Sequence, residues 1–450
     1  MKDDLHARYG EERLPRYTSY PTSPHFSPAI DTASYEGWLA SLAGDLRASL
    51  YIHVPFCRAM CWYCGCHTSI TKRDEPIAAY LAGLRSEIGT VADRIGLPLA
   101  VGHVHFGGGT PTIMRPEEFV ALAALLRARY RLAADAEVAV EIDPRTLATG
   151  MIAALGAAGV TRASLGVQSF DPAVQAAIGR VQSFAQTARA VDALRTAGIR
   201  GINLDLIYGL PRQTARSCRD TVRRCLELRP DRLSVFGYAH VPSFKKHQRR
   251  IDEAALPDGE ARHEQAEAIA EALVAAGYRR IGLDHYALPE DEMARAHAAG
   301  RLRRNFQGYT TDDADVLIGF GASAIGRLPQ GYVQNEVVVS RYLERIREGG
   351  LATAKGCPLT PDDRLRAKVI ERIMCDGEVD LAPLCAEHGA LPQTFLGSLP
   401  KLRALEADGL IRIRGPVVTV AEEARLLVRT VASAFDAHLG QSGRAHSPAV

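Results

Sequence analysis

The chain has 450 residues, 47% hydrophobic and 24% charged, the balance of an ordinary globular protein and not of a disordered or fibrous one. Lys and Arg number 54 against 52 Asp and Glu, and a net charge of +2 excludes a global basic field for nucleic acid or an anionic membrane surface. Nine cysteines are too few at this length for a disulfide scaffold, so metal or redox use is the natural reading.

The opening MKDDLHARYGEERLPRY lacks the apolar core of a signal peptide, and no apolar run reaches the ~20 residues that span a bilayer. A cytoplasmic protein without membrane or nucleic-acid partners is expected. Residues 1–45 are rich in Tyr, Pro and Ser and read as an N-terminal arm lying over a barrel. Short β-branched or aromatic runs then alternate with longer Ala/Leu/Arg segments of helical period, the pattern of βα units around a parallel sheet. The runs are SLYIH (49–53), VGHVHF (101–106), EVAVEI (137–142), RASLGV (162–167), GINLDLIY (201–208) and RLSVFGY (232–238). Helices are expected between them, among them 116–130, opened by Pro116, and 214–228, stopped by Arg229-Pro230. An α/β fold with a partial (βα)6-type barrel over 46–328 is therefore expected. Past residue 328 the pattern turns to amphipathic helices such as LTPDDRLRAKVIERIM, then a strand-like pair at 410–413 and 417–420, so 329–450 reads as a mainly helical C-terminal domain. The last dozen residues, LGQSGRAHSPAV, read as frayed.

Barrels of this kind carry their chemistry at the carboxyl ends of strands. Here the first strand runs into Cys57-Arg-Ala-Met-Cys61-Trp-Tyr-Cys64-Gly-Cys66, the second into GGGTPT, the third into EIDPR and the fourth into GVQSF, while the fifth contains NLDLIYGLP. Thiolates so close on one loop need a common electrophile. Zinc usually takes two CxxC knuckles well apart in sequence, whereas a C-x3-C-x2-C loop supplies three thiolates to a [4Fe–4S] cluster and leaves one iron open.

Cys57, Cys61 and Cys64, with the aromatic Tyr63 before the last of them, resemble the signature of the radical S-adenosylmethionine (SAM) superfamily. That resemblance implies that the open iron chelates the amino and carboxylate groups of SAM and that reductive cleavage gives a 5′-deoxyadenosyl radical. Gly107-Gly108-Gly109 is similar to the superfamily's strand end that meets the SAM amino group. The resemblance extends through almost the whole chain to the oxygen-independent coproporphyrinogen III oxidases, on PRYTSYPT (15–22), YIHVPFC (51–57), CGC (64–66), EIDPR (141–145), GVQSF (166–170), NLDLIYGLP (203–211), YAH (238–240) and RNFQGYTT (304–311). It implies two SAM molecules side by side, the first held by Tyr51, Gly108 and Glu141, the second by Tyr63, Gly109, Thr110, Gln168, Arg180, Asp205, Ala239 and Ile325. It also implies a tetrapyrrole substrate whose ring A and B propionates become vinyl groups, an external low-potential electron donor and a monomeric protein.

Cys66 is dispensable for a three-thiolate cluster, and is either a catalytic group for the substrate or a small buried thiol. Cys218, Cys225, Cys357, Cys375 and Cys385 have no ligand spacing and read as structural. The substrate's four carboxylates need local cations, for which Arg16, Arg304 and the Lys245-Lys246 pair are candidates. Gly237, where much of the family has Asn, and the following Ser243-Phe244-Lys245-Lys246 depart from the family pattern. A haem-binding chaperone of the same superfamily is the rival reading; such chaperones typically lack the PRYTSYPT-like arm and the fourth cysteine, and both are present here. A zinc-binding structural protein is the other.

Overall fold

The computed structural model describes residues 5, 8–10 and 12–440, so nearly all of the segment read as a frayed C-terminus lies outside the described residues. Twelve strands form one sheet. In chain order they are β1 (Arg47–Val54), β2 (Ala100–Gly108), β3 (Arg131–Ile142), β4 (Arg162–Gln168), β5 (Gly201–Tyr208), β6 (Arg232–Gly237), β7 (Arg279–Ile281), β8 (His285–Ala287), β9 (Val316–Phe320), β10 (Ile325–Leu328), β11 (Gly331–Asn335) and β12 (Thr353–Pro358). Their spatial order is β12-β11-β10-β9-β1-β2-β3-β4-β5-β6-β8-β7. From β9 through β6 every neighbouring pair is parallel, and antiparallel strands extend both edges. This is the expected partial barrel, with one more parallel strand, β9, than the sequence suggested.

The parallel strands follow from their composition. Crossover helices cover the outer face, so residues there are continuously apolar: Leu50, Ile52, Val104, Phe106, Val140, Ala163, Leu204 and Leu233 are all buried in one core. The alternate residues face inward and are polar, since successive side chains point to opposite faces. Tyr51 and His53, His103 and His105, Asn203 and Asp205 are such i, i+2 pairs. The helix Pro116–Arg129 starts with Pro116 at its first turn, and Ala215–Glu227 is capped by Thr214, whose hydroxyl accepts from the Ser217 N–H.

Two expected boundaries shift. The division at residue 328 falls inside the hairpin of β10 and β11, and the sheet continues to Pro358; its edge strands are held by ladder pairing and lack the β-branched runs that mark the parallel ones. The N-terminal arm also divides. Leu5, Tyr9, Tyr17 and Tyr20 bury with the C-terminal helix Pro361–Asp376 and the segment 424–435, whereas Tyr35 and Leu39, on the helix Thr32–Ala40, join the barrel core. The strand pair expected near the C-terminus is present as Ile411–Arg414 and Val417–Val420, joined by Glu378–Asp380 into a three-stranded wing.

One buried carboxyl ties the barrel's closing edge to its outer helices. Glu87, on the helix Glu75–Ile95, accepts from the Gly321 N–H at 2.7 Å, the Asn335 amide at 2.6 Å and the Tyr342 hydroxyl at 2.7 Å. Tyr80, earlier on the same helix, donates to the carbonyl of His53 at 2.7 Å, so this helix also braces the end of β1. Burial lifts the Glu87 carboxyl to about 7 against these donors. Because that value lies above the unfolded-state value, folding takes up a proton between them, and this component of stability is lost as pH rises through about 7. Denaturant midpoints measured from pH 5 to pH 8 are expected to fall in the wild type and to fall less in Glu87→Gln, the difference approaching about 3 kcal/mol.

Candidate active site

The cysteine loop leaves β1 at Val54. Gly109 and Thr110, past the end of β2, donate their N–H groups to the carbonyls of Val54 at 2.9 Å and Phe56 at 2.8 Å, so the two strand ends zip together beyond the sheet. Glycine is required for this approach. Gly108 has φ 112°, and a Cβ on Gly109 would stand 2.6 Å from the Phe56 carbonyl oxygen. The glycines thus serve first to bring backbone against backbone, placing the loop over the inner face of the barrel.

Three thiols of the loop face protein donors. The Cys57 Sγ lies 3.3 Å from the Thr110 hydroxyl and accepts from Thr68 at 3.4 Å. Cys61 is buried, and its Sγ receives N–H groups from Arg145 at 3.3 Å and Arg180 at 3.5 Å. The Cys64 Sγ accepts the Cys66 N–H at 3.4 Å. The hydrogen bond from the Cys66 thiol, with smaller contributions from His247 and Lys245, overcomes burial to bring the Cys64 thiol down to about 6, and the Cys66 thiol is pushed up in return. Donors aimed at sulfur are what an anionic iron–sulfur centre requires. Among the described residues no three Cys, His, Asp or Glu side chains converge as they would on a single metal ion. Thiolates on a four-iron cluster each take a different iron, so this donor set fits a cluster.

Around the loop the inner face is a continuous polar surface. Glu141 at the end of β3 accepts from the Gly108 N–H at 3.1 Å and pairs with His105 at 3.2 Å; although burial works the other way, these partners keep its carboxyl below the usual carboxylate range. Tyr51 stacks on His105 and hydrogen-bonds His53 Nδ1 at 3.0 Å. Asp205 on β5 accepts from Ser164 at 2.9 Å and Asn203 at 2.8 Å, and burial raises it to about 6. Arg180 donates to the Gly166 carbonyl at 2.7 Å and lies 3.4 Å from Asp143, while its Nε is buried without a hydrogen-bond partner among the described residues. Gln168 ends β4 with φ 67°, a left-handed backbone that turns its side chain toward Gly166 and Arg180. Tyr63 packs with Val174, Ile178 and Tyr238. The Ala239 carbonyl accepts from the Gln248 amide at 3.2 Å, and Ile325 opens β10 beside Gly319.

A cavity of about 440 Å³ opens next to this surface, with Cys66 and Ala239 on one wall and Arg16, Arg262, Arg304 and Arg429 among its other lining residues. Cys66 is exposed. The expectation for Lys245-Lys246 is corrected here: neither lines the cavity, because Lys245 is drawn to the Cys66 carbonyl at 2.9 Å, on the loop. Sequence reasoning had not singled out Arg262, Arg429, His53, His105, Asp143 or Arg145. For Asp143 and Arg145 a signal existed, since DPR directly follows a strand end. Cys218, Cys225, Cys375 and Cys385 are buried away from the loop, and Cys357 is half-buried.

Residues 51–225 match the family model of the radical SAM superfamily. An oxygen-independent coproporphyrinogen III oxidase of Bradyrhizobium diazoefficiens is 62% identical over 450 residues, covering 100% of both chains. One from Paracoccus denitrificans is 42% identical over 98% of this chain and 97% of its own. The solved structure of coproporphyrinogen III oxidase (HemN) from Escherichia coli, described as a radical SAM enzyme, superposes with a TM-score of 0.90 at 36% identity, covering 95% of this chain and 100% of that one. The chain belongs to the oxygen-independent coproporphyrinogen III oxidases. It is a radical SAM oxidoreductase, with a [4Fe–4S] cluster and SAM as cofactors.

Two kinds of substitution test the loop's construction. Serine at Cys57, Cys61 or Cys64 is expected to abolish bound iron and activity together, whereas Cys66→Ser keeps the iron. Gly109→Ala, which forces a Cβ into the Phe56 carbonyl, is expected to lower iron incorporation after anaerobic reconstitution, measured as iron per chain and absorbance near 400 nm, although it removes no ligand.

Proposed function

We infer that the protein carries out the oxygen-independent oxidative decarboxylation of coproporphyrinogen III to protoporphyrinogen IX in haem biosynthesis, in a cytoplasmic setting. The observation that carries this reading is the arginine-lined cavity beside Cys66. Arg304 presents Nε and Nη1, both buried and without hydrogen-bond partners among the described residues, and its Nη2 donates to the Arg16 carbonyl at 3.2 Å. Arg429 is buried, and burial with the nearby Arg16 and Arg304 lowers it to about 10. Asp284, the acid lining the same cavity, is bonded to His285 at 2.7 Å. Four guanidinium groups from separate segments lining one cavity favour a polyanionic ligand. A porphyrinogen bearing four propionates meets that need, and the volume lies within the range of small-molecule sites.

The cluster and SAM supply, when bound, a 5′-deoxyadenosyl radical that takes one hydrogen from a propionate β-carbon. The chain's own residues do the rest. Cys57, Cys61 and Cys64 hold the cluster, with Arg145 and Arg180 offsetting its negative charge at Cys61. Tyr51, Gly108 and Glu141 hold the SAM nearest to it, Glu141 accepting from the ammonium group. Tyr63, Gly109, Thr110, Gln168, Arg180, Asp205, Ala239 and Ile325 hold a second SAM, with Arg180 for its carboxylate and Asp205 for ribose hydroxyls. Asp205 retains acceptor capacity beyond its bonds to Ser164 and Asn203, since a carboxylate has about four lone-pair sites. Cys66 stands where the cavity meets the loop and acts on the substrate side. The arm covers the cavity with Arg16 and Thr18 and excludes water from the radical. Loss of CO₂, with one electron passed from the substrate radical to an external one-electron acceptor, would then complete each vinyl group.

The reduced, reconstituted protein is expected to turn coproporphyrinogen III and SAM into protoporphyrinogen IX with release of methionine and 5′-deoxyadenosine. Stoichiometric haem retention without methionine release would instead identify a chaperone. Arg304→Gln and Arg429→Gln are each expected to raise the KM for coproporphyrinogen about tenfold or more while SAM binding stays unchanged, a loss in line with a charge-assisted hydrogen bond of about 1.5–3 kcal/mol.

A further inference from the structure

The segment 244–250, Phe-Lys-Lys-His-Gln-Arg-Arg, packs on the cysteine loop through hydrogen bonds to its backbone. It grips the loop's carbonyls in sequence: the Gln248 amide donates to Tyr63 at 3.1 Å, His247 Nε2 to Cys64 at 2.7 Å and Lys245 to Cys66 at 2.9 Å. Trp62 extends the same surface. Its backbone N–H bonds the Ile178 carbonyl at 2.9 Å, and the Arg250 guanidinium lies 5.8 Å from its ring centre. What the segment turns to solvent is basic and partly apolar. Lys246, Arg249 and Arg250 are exposed, and Phe244 is 63% exposed. Among the described residues Lys245, Lys246, Arg249 and Arg250 form no ion pair. The next acids, Asp252 and Glu253, are occupied in capping Ala254 and in pairing with His240.

Four uncompensated cations in six residues are conspicuous on a chain of net charge +2. They do not line the substrate cavity, and their nearest chemistry is the ligand loop directly beneath. We propose that this face is the docking surface for the reductant, and that the reductant is an acidic one-electron carrier protein. The inference rests on the assignment of a [4Fe–4S] cluster to Cys57, Cys61 and Cys64. The transfer is simple to balance: the carrier is oxidised by one electron, the cluster takes that electron up, and no bond forms or breaks at the surface. Complementary charge guides the encounter and sets its salt dependence, the exposed Phe244 supplies an apolar contact, and the grip on the loop carbonyls keeps the path to Cys64 short and rigid.

The test uses the reconstituted holoenzyme, an acidic plant-type [2Fe–2S] ferredoxin as probe, and two readouts: 5′-deoxyadenosine production with the reduced carrier, and the Kd for the oxidised carrier from calorimetric titration, which is expected to move with the KM. The double variant Lys246→Glu/Arg249→Glu is expected to raise the KM for ferredoxin tenfold or more and to flatten the decline of the wild-type rate between low salt and about 0.3 M salt, where the Debye length falls below about 8 Å. With dithionite as reductant its rate and its KM for coproporphyrinogen are expected to equal the wild type. Lys246→Arg/Arg249→Lys is expected to behave as wild type throughout. An unchanged ferredoxin KM overturns the proposal, as does a wild type that accepts no electrons from the carrier. A dithionite-driven rate that falls equally would overturn it by making the segment a brace for the loop, and a raised coproporphyrinogen KM would do so by returning these cations to the substrate. Failure of the underlying cluster assignment is separate and visible: the wild type would then release no 5′-deoxyadenosine even with dithionite.

Discussion

Everything in the active site depends on how closely the end of β2 approaches the start of the cysteine loop. Two backbone hydrogen bonds, Gly109 to Val54 and Thr110 to Phe56, continue the parallel pairing of β1 and β2 past the point where both strands would otherwise diverge. The loop from Cys57 to Cys66 is too short to form a core of its own, and its Trp62 and Tyr63 pack against the cluster of Val174, Ile178 and Tyr238. Its shape is imposed from outside by that zipper, by the Ile178 carbonyl under Trp62 and by the side chains of Lys245, His247 and Gln248 on its back. The same junction brings the Gly108 N–H to Glu141, so the geometry that shapes the cysteine loop also orients the carboxylate at the end of β3.

The inner face of the sheet explains why a barrel of this kind can hold so many polar groups. A closed barrel packs its interior with branched apolar side chains. Here the sheet remains open, with different strands at its two ends, and the inner face is lined by Tyr51, His53, His105, Glu141, Ser164, Asn203 and Asp205. Cross-strand register puts Tyr51 opposite His105, Glu141 opposite Ser164 and Gly166 opposite Asp205. Most of these polar groups are therefore met by another from the neighbouring strand, and burial is tolerated because the hydrogen bonds are made within the sheet.

This architecture also decides what could be seen in the sequence. Six of the parallel strands were legible because short β-branched or aromatic runs stand between segments of helical period, and the cysteine loop because its spacing restricts the chemistry. β10, β11 and β12 were not: GYVQN and TAKGCP show neither alternation nor a β-branched run, and they exist through pairing with β9 and with each other, so the sequence pattern ends the barrel thirty residues early. Roles that depend on register were equally hidden. His53 and His105 look like any strand histidines until the pleat places both rings around Tyr51, and Arg145 gains meaning only when the turn after β3 carries it to the Cys61 sulfur.

Charge shows the limit of composition most clearly. The net value of +2 describes the average and says nothing of where the cations lie. The cavity gathers Arg16 from the arm, Arg262 from the helix Gly259–Ala275, Arg304 from the short strand Arg303–Asn305 and Arg429 from the helix Val428–Ser433, four segments spread over more than four hundred residues. No local pattern could reveal that cluster, because its members meet only once the arm has buried Tyr17 and Tyr20 against the C-terminal helices. The coupling runs in both directions. The carbonyls of Leu14 and Pro15 accept from Arg429 and that of Arg16 from Arg304, so the arm that contributes one cation also fixes the orientation of two others. The N-terminal motif and the C-terminal helices are in this sense parts of one arginine-lined wall, built on the same cavity that Cys66 and Ala239 reach from the barrel.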